Sequence, residues 1–314
     1  MVSRSATSHY LDSSVIHQVW DNALPPRLEI ESGDSVTVEI RGGGNNHFTP
    51  QSTHQDVLTR NMKGHALSGP IFIKGARPGD VLQVESLELK PWDWGYTLIS
   101  PGRGLLPDDF PGPYLKIWDL SNGETGRFRP GIEVPLEPFH GVMGVAPAEP
   151  GEHPTMPPRR VGGNLDIKQL TAGSTLWLPI EVEGALFSVG DAHAAQGDGE
   201  VCVTAIETGM TSTLRLSLRR DLSLETPQFR TAGPIIRKTN TAGWQATTGI
   251  APDLMAATKQ ATRQMIAYLA REHDLTPEEA YILSSVAVDL KISEVVDAPN
   301  WVVSAFLPLS IFRE

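Results

Sequence analysis

The chain has 314 residues, of which 40% are hydrophobic and 20% charged, and its formal net charge is -11. This composition is typical of a globular protein with one large domain or two modest ones. The acidic balance argues against nucleic acid as a partner, because phosphate binding needs clustered Lys and Arg. No stretch approaches the ~20 apolar residues of a membrane helix, which argues against a membrane partner. We therefore expect a small-molecule ligand.

A single cysteine, Cys202, excludes an internal disulfide and is compatible with a reducing compartment. It lies in the apolar run 201–206, which predicts a buried thiol rather than a nucleophile, because a reactive cysteine needs an accessible, electropositive setting. Residues 1–10 lack the apolar segment of a signal peptide. Together these features predict a cytoplasmic protein.

The first half of the chain reads as short strands joined by turns, as its 29 glycines and 25 prolines favour. Residues 25–41 alternate apolar and polar positions about Gly33 and predict a hairpin. The polar segment 42–68 is typical of a long surface loop or a lid. Beyond it, 69–73 and 81–89 predict two strands separated by a tight turn.

The remaining elements continue this pattern and then change character near residue 250. Residues 91–130 are rich in Trp, Gly and Pro and predict irregular connections with one short strand. Further strands are predicted at 115–118, 175–180, 184–189, 201–208, 212–219 and 301–307. Helices are predicted over 253–272, from its apolar spacing, and over 276–288, where Thr276 and Pro277 begin a capped turn.

The predicted fold is therefore mainly β, a β-sandwich or distorted barrel of short strands with two helices near the C-terminus. We predict three parts, possible as one integrated domain: an N-terminal extension (1–24), a β-rich core carrying the site (25–220) and a C-terminal α/β part that packs on it (221–314).

The chemistry concentrates in one glycine-rich region between residues 162 and 200. It holds four carboxylates and one imidazole: Asp166, Asp191, His193, Asp198 and Glu200. Histidine nitrogen and carboxylate oxygens are ligands of catalytic divalent metals, and such sites suit hydrolysis. No dinucleotide or P-loop glycine pattern and no serine-nucleophile elbow is present in the sequence, which argues against nucleotide chemistry and a serine triad.

Each acid in this region has more than one interpretation. Asp166 follows a Gly-Gly-Asn turn and either caps that turn or binds a metal. Asp198 and Glu200 flank a glycine, as in a hairpin turn, or supply a general base and a ligand. Asp191 is a second candidate for the acid/base, or a group that orients the imidazole of His193.

Three further polar side chains are candidates for substrate binding. Asn164 could support a metal ligand or donate to the substrate, or else cap its turn; Gln196 could hydrogen-bond a substrate amide, or else be a solvated loop side chain. His65 precedes the strand at 69–73 and could donate to a substrate carbonyl, or be an ordinary loop histidine.

Several segments together resemble the acetamidase/formamidase family of amide hydrolases. The resemblance extends over roughly residues 25–312. It rests on the segments 65–73, 75–80, 135–139, 141–147, 162–166, 184–202, 289–293 and 296–300. Two places depart from the family pattern, the loop 42–61 and His140, and a loop that differs near the site could change the substrate.

The resemblance implies a mainly β architecture, a divalent metal, homo-oligomers (dimer or higher) and hydrolysis of short aliphatic amides such as formamide and acetamide. It implies Asp166, His193 and Glu200 as metal ligands, with zinc the first expectation and calcium the alternative. Asp191, Asp198 or Glu200 would be the acid/base. Two other hypotheses stay open: hydrolysis of a larger or cyclic amide or another C–N bond, and a non-catalytic metal-containing binding protein.

Overall fold

The structure is a computed structural model that describes residues 6–61, 63–235 and 238–313. Its strands are β1 Ser8–Leu11, β2 Val19–Trp20, β3 Leu28–Ile30, β4 Ser35–Ile40, β5 Leu67–Ile73, β6 Val81–Pro91, β7 Trp94–Ile99, β8 Tyr114–Asp119, β9 Thr125–Arg129, β10 Ile132–Pro135, β11 Phe139–Gly144, β12 His153–Pro154, β13 Gly162–Asn164, β14 Thr175–Pro179, β15 Phe187–His193, β16 Glu207–Thr208, β17 Met210–Arg219, β18 Gln228–Arg230, β19 Trp244–Ala251, β20 Asp289–Glu294 and β21 Trp301–Pro308. Its helices are α1 Gly43–Asn46, α2 His54–Thr59, α3 Leu254–His273 and α4 Pro277–Ala287, followed by a short 3-10 turn at Leu309–Ile311.

Two large sheets pack face to face and form the main body. The first has the order β1-β4-β17-β6-β14-β18. In β4 the residues Val36, Val38 and Ile40 are buried while the alternate positions are half-buried, the two-residue period of a strand with one face on a core. Those side chains meet apolar residues of the second sheet, such as Phe187 and Val189, in one buried cluster. The predicted mainly β sandwich is confirmed.

The second sheet positions the site through its central strand β15. This strand pairs with β11, β5 and β16, all antiparallel. Every residue of β15 is buried except Asp191, which is half-buried. Strand β16 brings Glu207 directly opposite His193 in the register. His193, at the end of β15, is therefore buried between the neighbouring strands β11 and β16.

The two C-terminal helices form as predicted. The Asp253 side chain accepts a hydrogen bond from the Ala256 N–H at 2.7 Å and caps α3, and Thr276 with Glu279 forms a capping box at the start of α4. Both helices pack with the three-stranded sheet β19-β21-β20. Their core continues into residues such as Trp118 and Ile206 of the β-rich part. The division at 220/221 stays a prediction.

The predicted hairpin over 25–41 is wrong. Gly33 does form a turn, with φ of 94°, but the flanking strands do not pair with each other. Strand β3 pairs in parallel with β5, and β4 pairs with β1 and β17. Alternation predicts a strand and its buried face, but it does not determine which strand lies beside it.

The strand predicted over 201–208 is also wrong in its first six residues, which form turns before the short β16. Val203 has a φ of 75°, outside the extended region. The apolar character of this run reflects burial without a ladder, and Cys202 is buried in it, as predicted. The connection over 91–130 is more regular than expected, since it contains β7, β8 and β9. Among the described residues, no helix is both long and apolar enough to cross a membrane.

Candidate functional site

A buried cluster of carboxylates surrounds one imidazole at the end of β15. His193 is fully buried, and its Nε2 lies 3.4 Å from Asp191 Oδ2 and 3.3 Å from Glu207 Oε1. Ligand atoms of Asp166, Asp191 and His193 lie within 4.8 Å of one another, and so do those of His193, Glu200 and Glu207. His193 is common to both groups and is the centre of the cluster.

Three of these carboxylate residues have left-handed backbone conformations. The φ angles are 48° at Asp166, 55° at Asp191 and 43° at Glu200. A side chain in this region is strained by roughly 1–2 kcal/mol relative to glycine. Such outliers collect at functional sites, where the surrounding structure holds them. Here the conformation turns each carboxylate toward the same point.

Gly141 leaves the space in which these groups converge. A Cβ built on this residue would lie 2.7 Å from Asp166 Oδ1 and from Asp191 Oδ2, and 2.8 Å from His193 Cε1. Real Cβ atoms essentially never approach so closely. The Gly141 carbonyl also accepts hydrogen bonds from the Leu165 and Asp166 N–H groups at 2.9 and 3.2 Å. Strand β11 therefore leaves room for the cluster because Gly141 has only a hydrogen atom where other residues have a Cβ.

Gln196 orients the imidazole rather than facing an open cavity. Its Nε2 donates to the backbone carbonyl of Asp166 at 2.8 Å, which leaves its Oε1 to accept from His193 Nδ1 at 3.1 Å. With the proton on Nδ1, Nε2 is the nitrogen that a metal would bind once it has lost its proton. This is the outer-shell arrangement that fixes the tautomer of a metal-binding histidine. The predicted substrate-binding role of Gln196 stays a prediction, with this contact as its structural setting.

Burial is the largest single influence on the pKa of each group in the cluster, although neighbouring charges together outweigh it at Asp191 and His193. It raises the pKa of Asp166 to about 7 and the pKa of Glu200 well above its ordinary value, and neighbouring carboxylates reinforce both shifts. Burial also opposes charge on Asp191, but His65 and His193 outweigh it and lower the pKa of Asp191. The pKa of His193 is raised despite burial by the charges of Glu207 and Asp191.

These shifts predict how the metal-free protein responds to pH. A folded-state pKa of about 7 at Asp166, against an ordinary value of 3.8, gives stability that is present below pH 4 and lost as the pH rises through 7. Glu200 and His193, both raised, act in the same direction. In chelator, we expect the Tm to fall between pH 5 and pH 8 by at least about 1.5 °C, the shift that roughly 1 kcal/mol produces in a chain of 314 residues.

Differential scanning calorimetry measures this effect, with Asp166→Asn as the control. The variant cannot titrate at residue 166, so its Tm should depend less steeply on pH than that of the wild type. The comparison removes the contribution of the overall negative charge, which both proteins share. Equal slopes for the two proteins in chelator would contradict the assignment of the shift to Asp166.

The predicted site residues fall into two places. The structure brings Asp166, Asp191, His193 and Glu200 together, and their catalytic and metal-binding roles stay predictions. Asp198 lies apart: its Oδ1 accepts from Gln169 Nε2 at 3.0 Å, and its Oδ2 is 4.0 Å from Lys168 Nζ. It does not line either cavity described below, as far as the described residues show.

Two adjoining cavities open from the cluster. One has a volume of about 250 Å³ and includes Asn164, Asp166 and Glu200 in its wall. The other, about 390 Å³, is bounded mainly by the loop that follows β4. Arg60, Asn61, His65, Asp191 and Glu207 line both. The predicted substrate-binding residues His65 and Asn164 thus face open space next to the carboxylates, with His65 Nε2 3.6 Å from Asp191 Oδ2.

Sequence reasoning missed Glu207 and gave no role to His140. Glu207 lies in the run 201–208, which its apolar pattern predicts as a strand, and a polar residue in a strand needs no functional explanation. His140 is fully buried next to Gly141, and neither ring nitrogen has a hydrogen-bond partner among residues 6–61, 63–235 and 238–313. Burial, with the charge of His193, lowers the pKa of His140 to about 3, so this imidazole is neutral.

Known amide hydrolases resemble this chain in sequence and in fold. The sequence matches the Acetamidase/Formamidase family over residues 4–153 and 148–314. It is 27% identical to the formamidase of Methylophilus methylotrophus over 95% of this chain and 89% of that one, and 30% identical to the acetamidase of Mycolicibacterium smegmatis over 62% and 63%. The solved gamma lactamase from Delftia acidovorans superposes with a TM-score of 0.88 at 27% identity, covering 98% of this chain and 94% of that one.

A mainly β fold with a buried imidazole–carboxylate cluster beside open cavities, and these relatives, define a hydrolase that acts on linear amides. The chain belongs to the Acetamidase/Formamidase family, as its residue motifs indicated. Membership favours catalysis over the non-catalytic binding protein.

Proposed function

We propose that this protein is a divalent-metal-dependent amidase that hydrolyses small carboxamides, such as formamide and acetamide, to carboxylate and ammonia. The observation that carries the metal is the pair of unpartnered atoms in the cluster. Asp166 Oδ1 and His193 Nε2 are buried, and neither has a hydrogen-bond partner within the part of the chain that the structure describes. Buried polar atoms without partners are costly, and two of them side by side among carboxylates are explained by a bound cation.

The charge balance of the cluster supports the same proposal. Asp166, Asp191, Glu200 and Glu207 surround one imidazole in a largely buried space. Buried carboxylates require protons or a cation, because a low-dielectric interior penalises unpaired negative charge. A divalent cation held by Asp166, His193 and Glu200 would satisfy them, and it would supply Lewis-acid polarisation of the amide carbonyl. The nitrogen ligand favours zinc over calcium, which prefers oxygen alone.

The protein's own residues would bind the amide and move the proton. With Glu200 as a ligand, Asp191 on the same wall of the cavity of about 250 Å³ would take a proton from the attacking water and return it to the leaving nitrogen. If Glu200 does not bind the cation, its raised pKa suits it to the same role. That transfer is needed because an amide nitrogen leaves only after protonation. Asn164, whose Oδ1 is buried without a partner among the described residues, would accept from the substrate N–H. His65 would donate to the substrate carbonyl.

The acid/base assignment differs in emphasis from the sequence-based one. Glu200 and Asp191 both border the cavity and are the two candidates that the geometry favours. Asp198 interacts with Gln169 and Lys168 instead, so we propose that it supports the loop that carries Glu200. Homo-oligomeric assembly and a cytoplasmic location also stay predictions.

Hydrolysis of a larger or cyclic amide is a second candidate function. The gamma lactamase superposes over nearly the whole chain with a TM-score of 0.88. The smaller cavity, at about 250 Å³, is far larger than the ~10–15 Å³ that holds one water, so it has room for more than formamide. A γ-lactam would place its ring in this space with the same groups around its amide.

Ammonia release from formamide and acetamide by purified protein tests the main proposal. We expect turnover that exhaustive chelation abolishes and added zinc restores. A γ-lactam assayed in parallel by amino-acid formation tests the second candidate. Turnover that survives complete removal of metal, verified by elemental analysis, would contradict the metal; turnover of the lactam alone would transfer the proposal to cyclic amides.

A further inference from the structure

Arg60 lines both cavities and pairs with no acidic side chain of the described residues. It follows helix α2, it is half-buried, and it lines the cavity wall together with Asp191 and Glu207. Its Nε is buried without a hydrogen-bond partner, and its side chain forms no ion pair within the described ranges of the chain. A buried N–H donor such as this Nε normally finds an acceptor, because an unmade hydrogen bond in the interior is costly.

The guanidinium packs against its surroundings, although no described residue accepts a hydrogen bond from it. Its central carbon lies 5.5 Å from the centre of the Phe48 ring, a cation–π contact. On another side, a Cβ on Gly44 would lie 3.0–3.2 Å from its Nε, Nη2 and central carbon. Gly44 has a φ of 58°. The Phe48 ring and Gly44 therefore both lie next to the group, through contacts that consume no N–H donor.

The neighbouring arginine of the same cavity wall shows the contrast. Arg41 donates from Nε to the Ser13 carbonyl at 2.7 Å and from Nη2 to the Ser14 carbonyl at 2.8 Å. Its Nη1 donates to Asn45 Oδ1 at 3.2 Å. Arg41 is thus committed to holding the loop, whereas Arg60 has equivalent donors that no residue of the described chain accepts.

We propose that Arg60 binds the carboxylate of an amide substrate that carries a second, anionic end. The inference rests on the proposed function and names its substrate class: monoamides of short dicarboxylic acids, with the amide at the carboxylate–imidazole cluster and the free carboxylate on Arg60. A guanidinium is suited to this task because its parallel N–H donors match the two carboxylate oxygens. Formamide or acetamide would leave Arg60 without an acceptor.

Paired substrates of equal size test this proposal. Oxamate, malonamate, succinamate and glutaramate are each compared with the corresponding neutral diamide, after correction for the second amide. We expect kcat/KM of at least one monoamide to exceed that of its diamide by about ten- to a hundredfold, which is the effect of hydrogen bonds to a charged group. The difference should lie in KM rather than in kcat. A diamide preferred at every length would overturn the proposal.

Variants connect that preference to Arg60. Arg60→Gln should remove the preference, because it lowers kcat/KM for the monoamide about ten- to a hundredfold more than for the diamide, and Arg60→Lys should keep part of it. Arg271→Gln is the matched control, because Arg271 donates from Nε to Glu272 Oε1 at 2.7 Å and lines neither cavity, and it should leave the ratio unchanged. A preference that persists in Arg60→Gln would place the carboxylate elsewhere and overturn the assignment.

Calorimetric binding separates this inference from the proposed function. Succinamate is titrated into wild-type protein and Arg60→Gln whether or not either turns it over. Arg60-dependent binding without hydrolysis would support the anion site while sinking the amidase proposal. Hydrolysis of neutral amides without any preference for monoamides would sink only the inference, and neither binding nor hydrolysis would sink both.

Discussion

His193→Ala is expected to abolish metal binding and to lower amide turnover by about a hundredfold or more. The reason is its position: His193 belongs to both groups of converging ligand atoms, and Gln196 holds its ring so that Nε2 faces them. Loss of a ligand should exceed the 10–100-fold cost of losing an outer-shell partner. Elemental analysis of the purified variant and its rate of ammonia release measure the two effects.

His153→Ala provides the matched control for this variant. His153 has its Nε2 2.9 Å from the Glu149 carbonyl and lines neither cavity, so its removal should leave metal content and turnover near those of the wild type. Comparing the Tm of wild type and His193→Ala, both in chelator, separates loss of metal from loss of folding. A His193→Ala protein that retains zinc and activity would contradict the proposed site.

Elements whose signals are local could be predicted from the sequence. Helix α4 carries its own start signal in Thr276 and Glu279, and α3 has its cap at Asp253. Strand β4 shows its buried face by alternation. These features depend on neighbours within a few residues, so the sequence alone contains the relevant information.

Pairing between distant segments could not be predicted in the same way. The turn at Gly33 exists, but the strands around it find partners elsewhere, since register depends on tertiary burial. Glu207 became part of the site only because β16 pairs with the end of β15. Its position in an apolar run gave no sign of this.

The candidate site was predictable in composition but not in geometry. A glycine-rich region with several acids and a histidine indicated a metal site, and the structure gathers four of its five ionisable groups. The sequence could not show that Asp166 and Glu200 adopt left-handed conformations that more often favour glycine. Arg60 lies in the polar loop 42–68, and nothing in the sequence indicates that it lines both cavities or that its Nε lacks an acceptor among the described residues.

Gly141 is the position where a single methyl group should do most damage. Strand β11 lies beside β15, and its residue 141 has Asp166 Oδ1, Asp191 Oδ2 and His193 Cε1 where a Cβ would point. None of these atoms is the far end of a long, flexible side chain. The added carbon must therefore displace the groups that converge, or shift β11 against β15.

Gly141→Ala is accordingly expected to lower turnover by about a hundredfold, the cost of misplacing catalytic groups by roughly 1 Å, and to weaken zinc binding. Overpacking should also cost about 1–3 kcal/mol of stability. Gly112→Ala is the control, because a Cβ there meets nothing within 4 Å. Activity, zinc content and Tm are measured for both variants with and without added zinc. If the space at Gly141 is needed by the metal ligands, zinc should raise the Tm of Gly112→Ala as much as that of the wild type. It should raise the Tm of Gly141→Ala much less. An equal rise in both variants would mean that Gly141 is needed for packing alone.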